Sequence, residues 1–309
     1  MSNLGPAKRF LGLDITRLPD GSILLSQQIY INSILKRFGM EDANTAPTPL
    51  CHKTRLDIEM STDREADAAV YQSITGSLMY TATSTRPDIA YAVAALCRYN
   101  SKPYVTHMTA AKLVLRYLKG TADVGLVFPG SSASSSTRIL HGYTYSEASS
   151  STGVLHGYTD SDFAGDRADR KSQGGYFFRA HGGPIDWQSK KQLLVATSTT
   201  EAEYVACSEA TRKARCLIQL HKDVTGELVV PPTYCDSNGA LKNIWSGVSS
   251  AKTKHIDIRF HDSREVHTQG IVKFDYVSTN DNLADIMTKA LVPERHQRLV
   301  QSMGLRRGC

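Results

Sequence analysis

Four carboxylates stand at the ends of elements predicted for the second half of this 309-residue chain. Asp160 lies in a strand (Tyr158-Thr159-Asp160-Ser161) and Glu203 in the first turns of a long helix (Glu201-Ala202-Glu203-Tyr204-Val205-Ala206). Asp236 ends a later strand (Tyr234-Cys235-Asp236-Ser237), and Asp285 opens a last helix (Asn282-Leu283-Ala284-Asp285). Acids arriving from four elements suit phosphodiester hydrolysis, which must activate a water and stabilise a leaving oxyanion. Two divalent ions roughly 4 Å apart do both. Their charge calls for about four carboxylates, and magnesium favours such oxygen ligands. Without metal the same cluster is costly. At an effective dielectric of about 20, two like charges about 5 Å apart repel by about 3 kcal/mol. The acids would then titrate as a coupled set with some pKa values raised. The competing reading makes each acid a cap or strand-end residue. Asp162, Asp166, Asp169 and Glu201 compete for the same roles, and spacing alone does not establish convergence.

The elements that must position these acids follow from periodicity. Val154–Phe163, Gly175–Ala180 and Pro184–Ser189 read as strands, and Ser198–Val224 as a long helix with Thr199 or Thr200 near its cap. Thr233–Asp236 and Ile271–Val277 are further strands; Gly239–Trp245, Lys254–His267 and Asn282–Ala290 are further helices. Three meandering strands followed by alternating helix and strand imply a mixed sheet with helices packed on it. The first part of the chain reads mostly helical. Ile31, Ile34, Leu35 and Phe38 form an amphipathic stripe, and further helices are predicted over Tyr71–Thr83, Ile89–Tyr99 and Thr109–Lys119. A short hairpin near Phe10–Ile15 and Ser22–Ser26, turning at Pro19-Asp20-Gly21, precedes them.

Between the two parts, residues 131–153 are rich in serine and poor in large apolar residues, which reads as a linker. Leu140-His141-Gly142-Tyr143-Thr144 recurs as Leu155-His156-Gly157-Tyr158-Thr159, the mark of a drifted tandem duplication. The domain boundaries are therefore placed at 1–130, 131–153 and 154–309. Composition is that of a globular chain, with 41% hydrophobic and 21% charged residues. No apolar run reaches the 18 or so residues of a membrane span, and no secretion signal opens the chain. Six cysteines without CxxC spacing argue against a zinc site and a disulfide scaffold and fit a reducing compartment. The formal net charge of +6 permits a nucleic-acid partner without demanding one. No nucleophile-elbow motif accompanies Ser198, which excludes a hydrolase triad there. Trp187 and Trp245 read as core residues.

The four acidic motifs resemble those of ribonuclease H. More narrowly, the blocks at 157–176 (GYTDSDFAGDRADRKSQGGY), 189–192 (SKKQ), 198–206 (STTEAEYVA), 253–261 (TKHIDIRFH) and 282–291 (NLADIMTKAL) are similar to the C-terminal end of Ty1/copia retrotransposon Pol polyproteins. FLGLDI (10–15), SQQIYINSILKRFGM (26–40), YQSITGSLMY (71–80), TRPDIAYAV (85–93) and LRYLKGT (115–121) resemble the last part of the same family's reverse transcriptase. The resemblance implies an α/β fold: a ribonuclease H-like mixed five-stranded sheet with flanking helices, preceded by a mainly helical thumb/connection remnant that grips primer–template. It implies two-metal hydrolysis of RNA in RNA/DNA hybrids during reverse transcription, leaving 5′-phosphate and 3′-hydroxyl ends. Two Mg²⁺ ions are the implied cofactor, with Mn²⁺ as a substitute. Asp160 would bridge both metals, Asp285 would complete the one that activates water, and Glu203 and Asp236 would hold the one at the leaving 3′ oxygen. The AEYVA frame favours Glu203 over Glu201.

Lys190 and Lys191 lie in a family block and would meet backbone phosphates, while Ser161 and Ser237 are candidates for contacts to the hybrid. The implied partners are an RNA/DNA hybrid and the upstream polymerase part of the polyprotein, with no membrane, in the cytoplasm (a virus-like particle) or the nucleus. Two departures from the family pattern stand out. The Tyr-x-Asp-Asp polymerase motif is absent, so no polymerase activity is expected. The loop Ser278-Thr279-Asn280-Asp281 lacks the histidine many ribonucleases H carry there, and His255 and His261 lie on the preceding helix instead. Two rival readings follow: an inactive transposon remnant that only binds nucleic acid, and an integrase-like strand transferase. The Asp-Glu-Asp-Asp order opposes the second.

Overall fold

In the computed structural model, which describes residues 5–57, 63–130, 155–246 and 257–308, the chain forms two compact units. The first comprises residues 1–140 with 290–309, and the second residues 141–289. The serine-rich stretch 131–153 and the first copy of its repeat lie outside the described residues, as does His255.

The first unit grows from the predicted apolar stripe. Helix α1 (Gln28–Arg37) buries Ile31, Ile34 and Leu35. They join a core with Tyr71, Ile74 and Leu78 of α2 (Ala68–Ser84) and Val114, Leu115 and Leu118 of α4 (Val105–Gly120). The intervening Arg86-Pro87-Asp88 opens a 3₁₀ turn (Pro87–Ile89) leading into α3 (Ala90–Cys97). Arg86 and Asp88 form a fully buried ion pair at 2.7 Å. Tyr117 donates to Asp88 and Arg86 donates to the Thr121 carbonyl, at 2.7 and 2.8 Å, so the buried charges are satisfied by hydrogen bonds.

Five short strands accompany these helices: β1 (Arg9–Phe10), β2 (Leu13–Arg17), β3 (Ile23–Ser26), β4 (Val124–Phe128) and, from the far end of the chain, β10 (Leu305–Arg307). They pair antiparallel in the order β1-β2-β3-β4-β10. The predicted hairpin is β2–β3. Its turn is closed by Asp20, which accepts the Ser22 amide, and by Gly21 in the left-handed region (φ 80°). The helical reading of this part thus gains an antiparallel sheet. Residues 290–309 belong to this unit rather than to the second region, because helix α8 (Pro293–Ser302) and β10 pack here.

The second unit is built on one mixed sheet in the order β7-β6-β5-β8-β9. Strands β5 (Leu155–Asp162), β6 (Gln173–Ala180) and β7 (Gly183–Lys191) form an antiparallel meander. A 27-residue helix, α5 (Thr199–Thr225), crosses over to β8 (Pro232–Cys235), which runs parallel to the central β5. Helices α6 (Asn238–Trp245) and α7 (Asp257–Thr268) lead to β9 (Lys273–Tyr276), parallel to β8. This is the ribonuclease H-like arrangement expected from the sequence. Its core joins Phe178, Tyr204, Ala210, Ala214, Cys235, Leu241, Ile244 and Phe274. Trp245 is half-exposed rather than core, its indole N–H donating to the Phe274 carbonyl at 3.1 Å.

Two local expectations change. Ser198, not Thr199 or Thr200, caps α5, its hydroxyl accepting the Glu201 amide at 3.1 Å. The last acidic element is a 3₁₀ turn (Leu283–Met287) rather than a nine-residue helix. Asn282 accepts the Ala284 amide and Thr288 donates to the Asp285 carbonyl, so side chains take up backbone groups that a continuing α-helix would use.

Candidate active site

Asp160 points from the central strand on the face it shares with Tyr158 and Asp162. The parallel register places Tyr158 beside Tyr234 and Thr159 beside Cys235. Asp236, one residue past β8, therefore follows Asp160 on the same face, at the carboxyl ends of two adjacent parallel strands. Glu203 enters from the second turn of α5. Its Oε1 accepts the Ser161 amide at 3.2 Å, and its Oε2 lies 4.0 Å from the Cys235 thiol. Ligand atoms of Glu203, Cys235 and Asp236 all lie within 4.8 Å of one another.

Asp285 is delivered by the 3₁₀ turn, and two hydrogen bonds hold that turn against β5. Asn282 donates to the Thr159 carbonyl at 3.0 Å, and the Thr288 hydroxyl donates to the Asp160 carboxylate. Opposite Asp160, in register on β6, is Gly175. A β-carbon there would sit 2.5 Å from Cβ of Met287, so only glycine lets the turn approach this closely. Lys289 ends the segment. Its ammonium pairs with Asp285 and lies 4.0 Å from Asp160.

The electrostatics follow from burial. Asp160 is 2% exposed and Asp285 fully buried. Burial, then the charges of Asp285 and Asp236, pushes the Asp160 carboxyl up to about 7 against the opposing pull of Lys289 and Thr288. Glu203 is raised well above the usual carboxylate range by burial and by Asp160, Cys235 and Asp236, with the Ser161 amide opposing. Asp162 is raised by burial and by Asp285, with Lys289 opposing. All four predicted acids are thus brought together, and Asp162 stands at their rim. The competitors are engaged elsewhere. Glu201 accepts the Thr197 amide at 2.6 Å, and Asp166 and Asp169 both bind Lys191, at 2.8 and 2.9 Å. Converging carboxylates, two of them raised by burial and then by their acidic neighbours, are a donor set that fits hard divalent cations such as Mg²⁺ or Mn²⁺.

The chain as a whole matches no protein-family model. It is 37% identical over 311 residues to the retrovirus-related Pol polyprotein from transposon TNT 1-94 of Nicotiana tabacum, covering 99% of this chain and 22% of that protein. It is 36% identical over 299 residues to the corresponding polyprotein from transposon RE1 of Arabidopsis thaliana, covering 96% and 19%. The chain belongs to the Ty1/copia-type Pol polyproteins. It spans about a fifth of the length of these two relatives. Among solved structures it is similar to LC11-RNase H1, isolated from compost, at 17% identity and a TM-score of 0.35, covering 44% of this chain and 94% of that one.

The predicted nucleic-acid contacts of this Pol chain are placed unevenly. Lys190 is exposed, whereas Lys191 is held by Asp166 and Asp169. Ser161 is buried, its hydroxyl accepting from Gln192 at 3.3 Å, and Ser237 caps α6 by accepting the Ala240 amide at 3.3 Å. Gly175, Asn282, Thr288 and Lys289 position or offset the acids, and their roles were not foreseen. Lys289 follows Asp285 by four residues, the ion-pair spacing of the α-helix that the sequence predicts over Asn282–Ala290.

Proposed function

We propose that the second unit of this Pol chain hydrolyses the RNA strand of RNA/DNA hybrids during reverse transcription, leaving 5′-phosphate and 3′-hydroxyl ends. The observation that carries this is the convergence of Asp160, Glu203, Asp236 and Asp285 from four elements into one cluster, three of them buried, in which burial raises the carboxyl pKa values of Asp160 and Glu203. These four side chains would hold Mg²⁺, or Mn²⁺ in its place. Bound divalent cations would lower the pKa of the attacking water and neutralise charge growing on the leaving 3′ oxygen. The protein's own part is positional. The Ser161 amide fixes Glu203, Asn282 ties the Asp285 turn to β5, and the Thr288 hydroxyl orients Asp160. The first unit is proposed to be the reverse-transcriptase thumb and connection, holding the same hybrid alongside the upstream polymerase part.

The test incubates the purified chain and Asp160→Asn with labelled RNA/DNA hybrid and Mg²⁺. The expected result is 5′-phosphorylated RNA products from the parent and none above background from the variant. A parent that binds hybrid without cutting it makes the chain a nucleic-acid binder only. Equal cutting by both proteins removes Asp160 from the chemistry.

A further inference from the structure

The acid cluster is not electrically uniform. At one end, the Lys289 ammonium pairs with Asp285 and lies 4.0 Å from Asp160, two carboxylates almost wholly withdrawn from water. At the other end, Glu203 and Asp236 lie with Cys235, and no lysine or arginine pairs with either acid among the described residues. We propose that Lys289 is a built-in counter-cation for the Asp160–Asp285 end, which must leave when a divalent cation enters, so that the Glu203–Asp236 end fills first and more tightly. This rests on reading the acids as metal ligands.

The physical reasoning is one of competition. An ammonium is a compact point charge on a flexible stem. It occupies the region between two carboxylates where a hard cation would bind, and two cations cannot share it without strong repulsion. Leaving a buried carboxylate pair with no counter-charge is costly, so the lysine stabilises the metal-free site. Its side chain is 39% exposed, which gives the stem a route to solvent when it is displaced. Binding at this end therefore includes breaking an ion pair, while binding at the other end does not.

Mn²⁺ titration of the full chain, with free Mn²⁺ counted by electron paramagnetic resonance, tests the assignment directly. The wild type should show two classes of site. Lys289→Met should tighten the weaker class by about tenfold, Lys289→Arg should leave it near wild type, and the stronger class should stay in place. Lys222→Met, which removes an exposed charge from the end of α5, should change neither class. An unchanged isotherm for Lys289→Met, or an equal change from Lys222→Met, overturns the proposal while leaving the metal reading intact. A wild type and a Lys289→Met variant that both bind no Mn²⁺ overturn the metal reading and this inference together.

The native chain offers a second measurement that needs no variant to fold. Amine labelling with acetic anhydride, read residue by residue by mass spectrometry, should rise at Lys289 when Mn²⁺ is added and stay constant at Lys222. Labelling of Lys289 that ignores Mn²⁺ overturns the displacement.

Discussion

At the scale of the residue, Asp160 carries an unfavourable charge in the metal-free protein. Its carboxyl is pushed from the ordinary 3.8 up to about 7, chiefly by burial. Between roughly pH 4 and pH 7 the folded state keeps a proton that the unfolded chain gives up. Stability therefore falls as pH rises through that window, and above it the whole penalty is present. Glu203 is shifted in the same direction and adds to the fall. Asp160→Asn removes the charge without changing shape. In EDTA at pH 8 the variant should be more stable than wild type by a few kcal/mol, and near pH 4 the two should coincide. Both tryptophans, Trp187 and Trp245, lie in the second unit, so their fluorescence follows its unfolding alone. A variant that is no more stable at pH 8 would mean that Asp160 carries no such penalty. Adding Mg²⁺ should erase or reverse the difference, because the wild type alone keeps the full donor set.

At the scale of the element, the site depends on a close approach that no periodicity reveals. The 3₁₀ turn reaches Asp160 only because Gly175 presents no side chain to it. Gly175→Ala places a methyl 2.5 Å from Met287 Cβ, so either β6 or the turn must shift. The expected cost is about 1–3 kcal/mol in denaturant unfolding. Hybrid cleavage should fall with it, since Asp285 sits two residues from the clash, while hybrid affinity stays near wild type. Retained full activity would show that the turn tolerates displacement. The sequence was informative where burial repeats along one element. The stripe Ile31, Ile34, Leu35 and the meander of β5, β6 and β7 follow directly from local pattern. It was less informative where a side chain replaces a backbone bond, as Asn282 and Thr288 do at the last acidic turn. The acid types and order were legible as a resemblance, but their convergence was not, because it depends on register between β5 and β8 some 75 residues apart.

At the scale of the whole molecule, the least legible feature is that residues 290–309 complete the first unit. Strand β10 has only three residues, and its partner β4 lies about 180 positions earlier, so no local pattern announces the pairing. The contacts are nonetheless substantial. Leu299, Met303 and Leu305 are buried, His296 contacts the Asp88 carbonyl at 3.2 Å, and Arg307 pairs with Asp123 at 2.9 Å. Burying three such apolar side chains contributes about 5–9 kcal/mol, which rivals the whole stability of a domain. A chain ending at Lys289 should therefore lose most of the stability of its first unit. The strands of the second unit all lie within residues 155–276, so its sheet remains complete. Hydrogen exchange should show β3, β4 and α4 losing protection in the truncated chain, while the tryptophan-detected transition keeps its midpoint. Unchanged protection in β4 would mean that β10 contributes little. A tryptophan transition that falls in step would mean that the two units unfold together. Separate outcomes for the two probes would establish that the twenty C-terminal residues stabilise the unit their own sheet pairing completes.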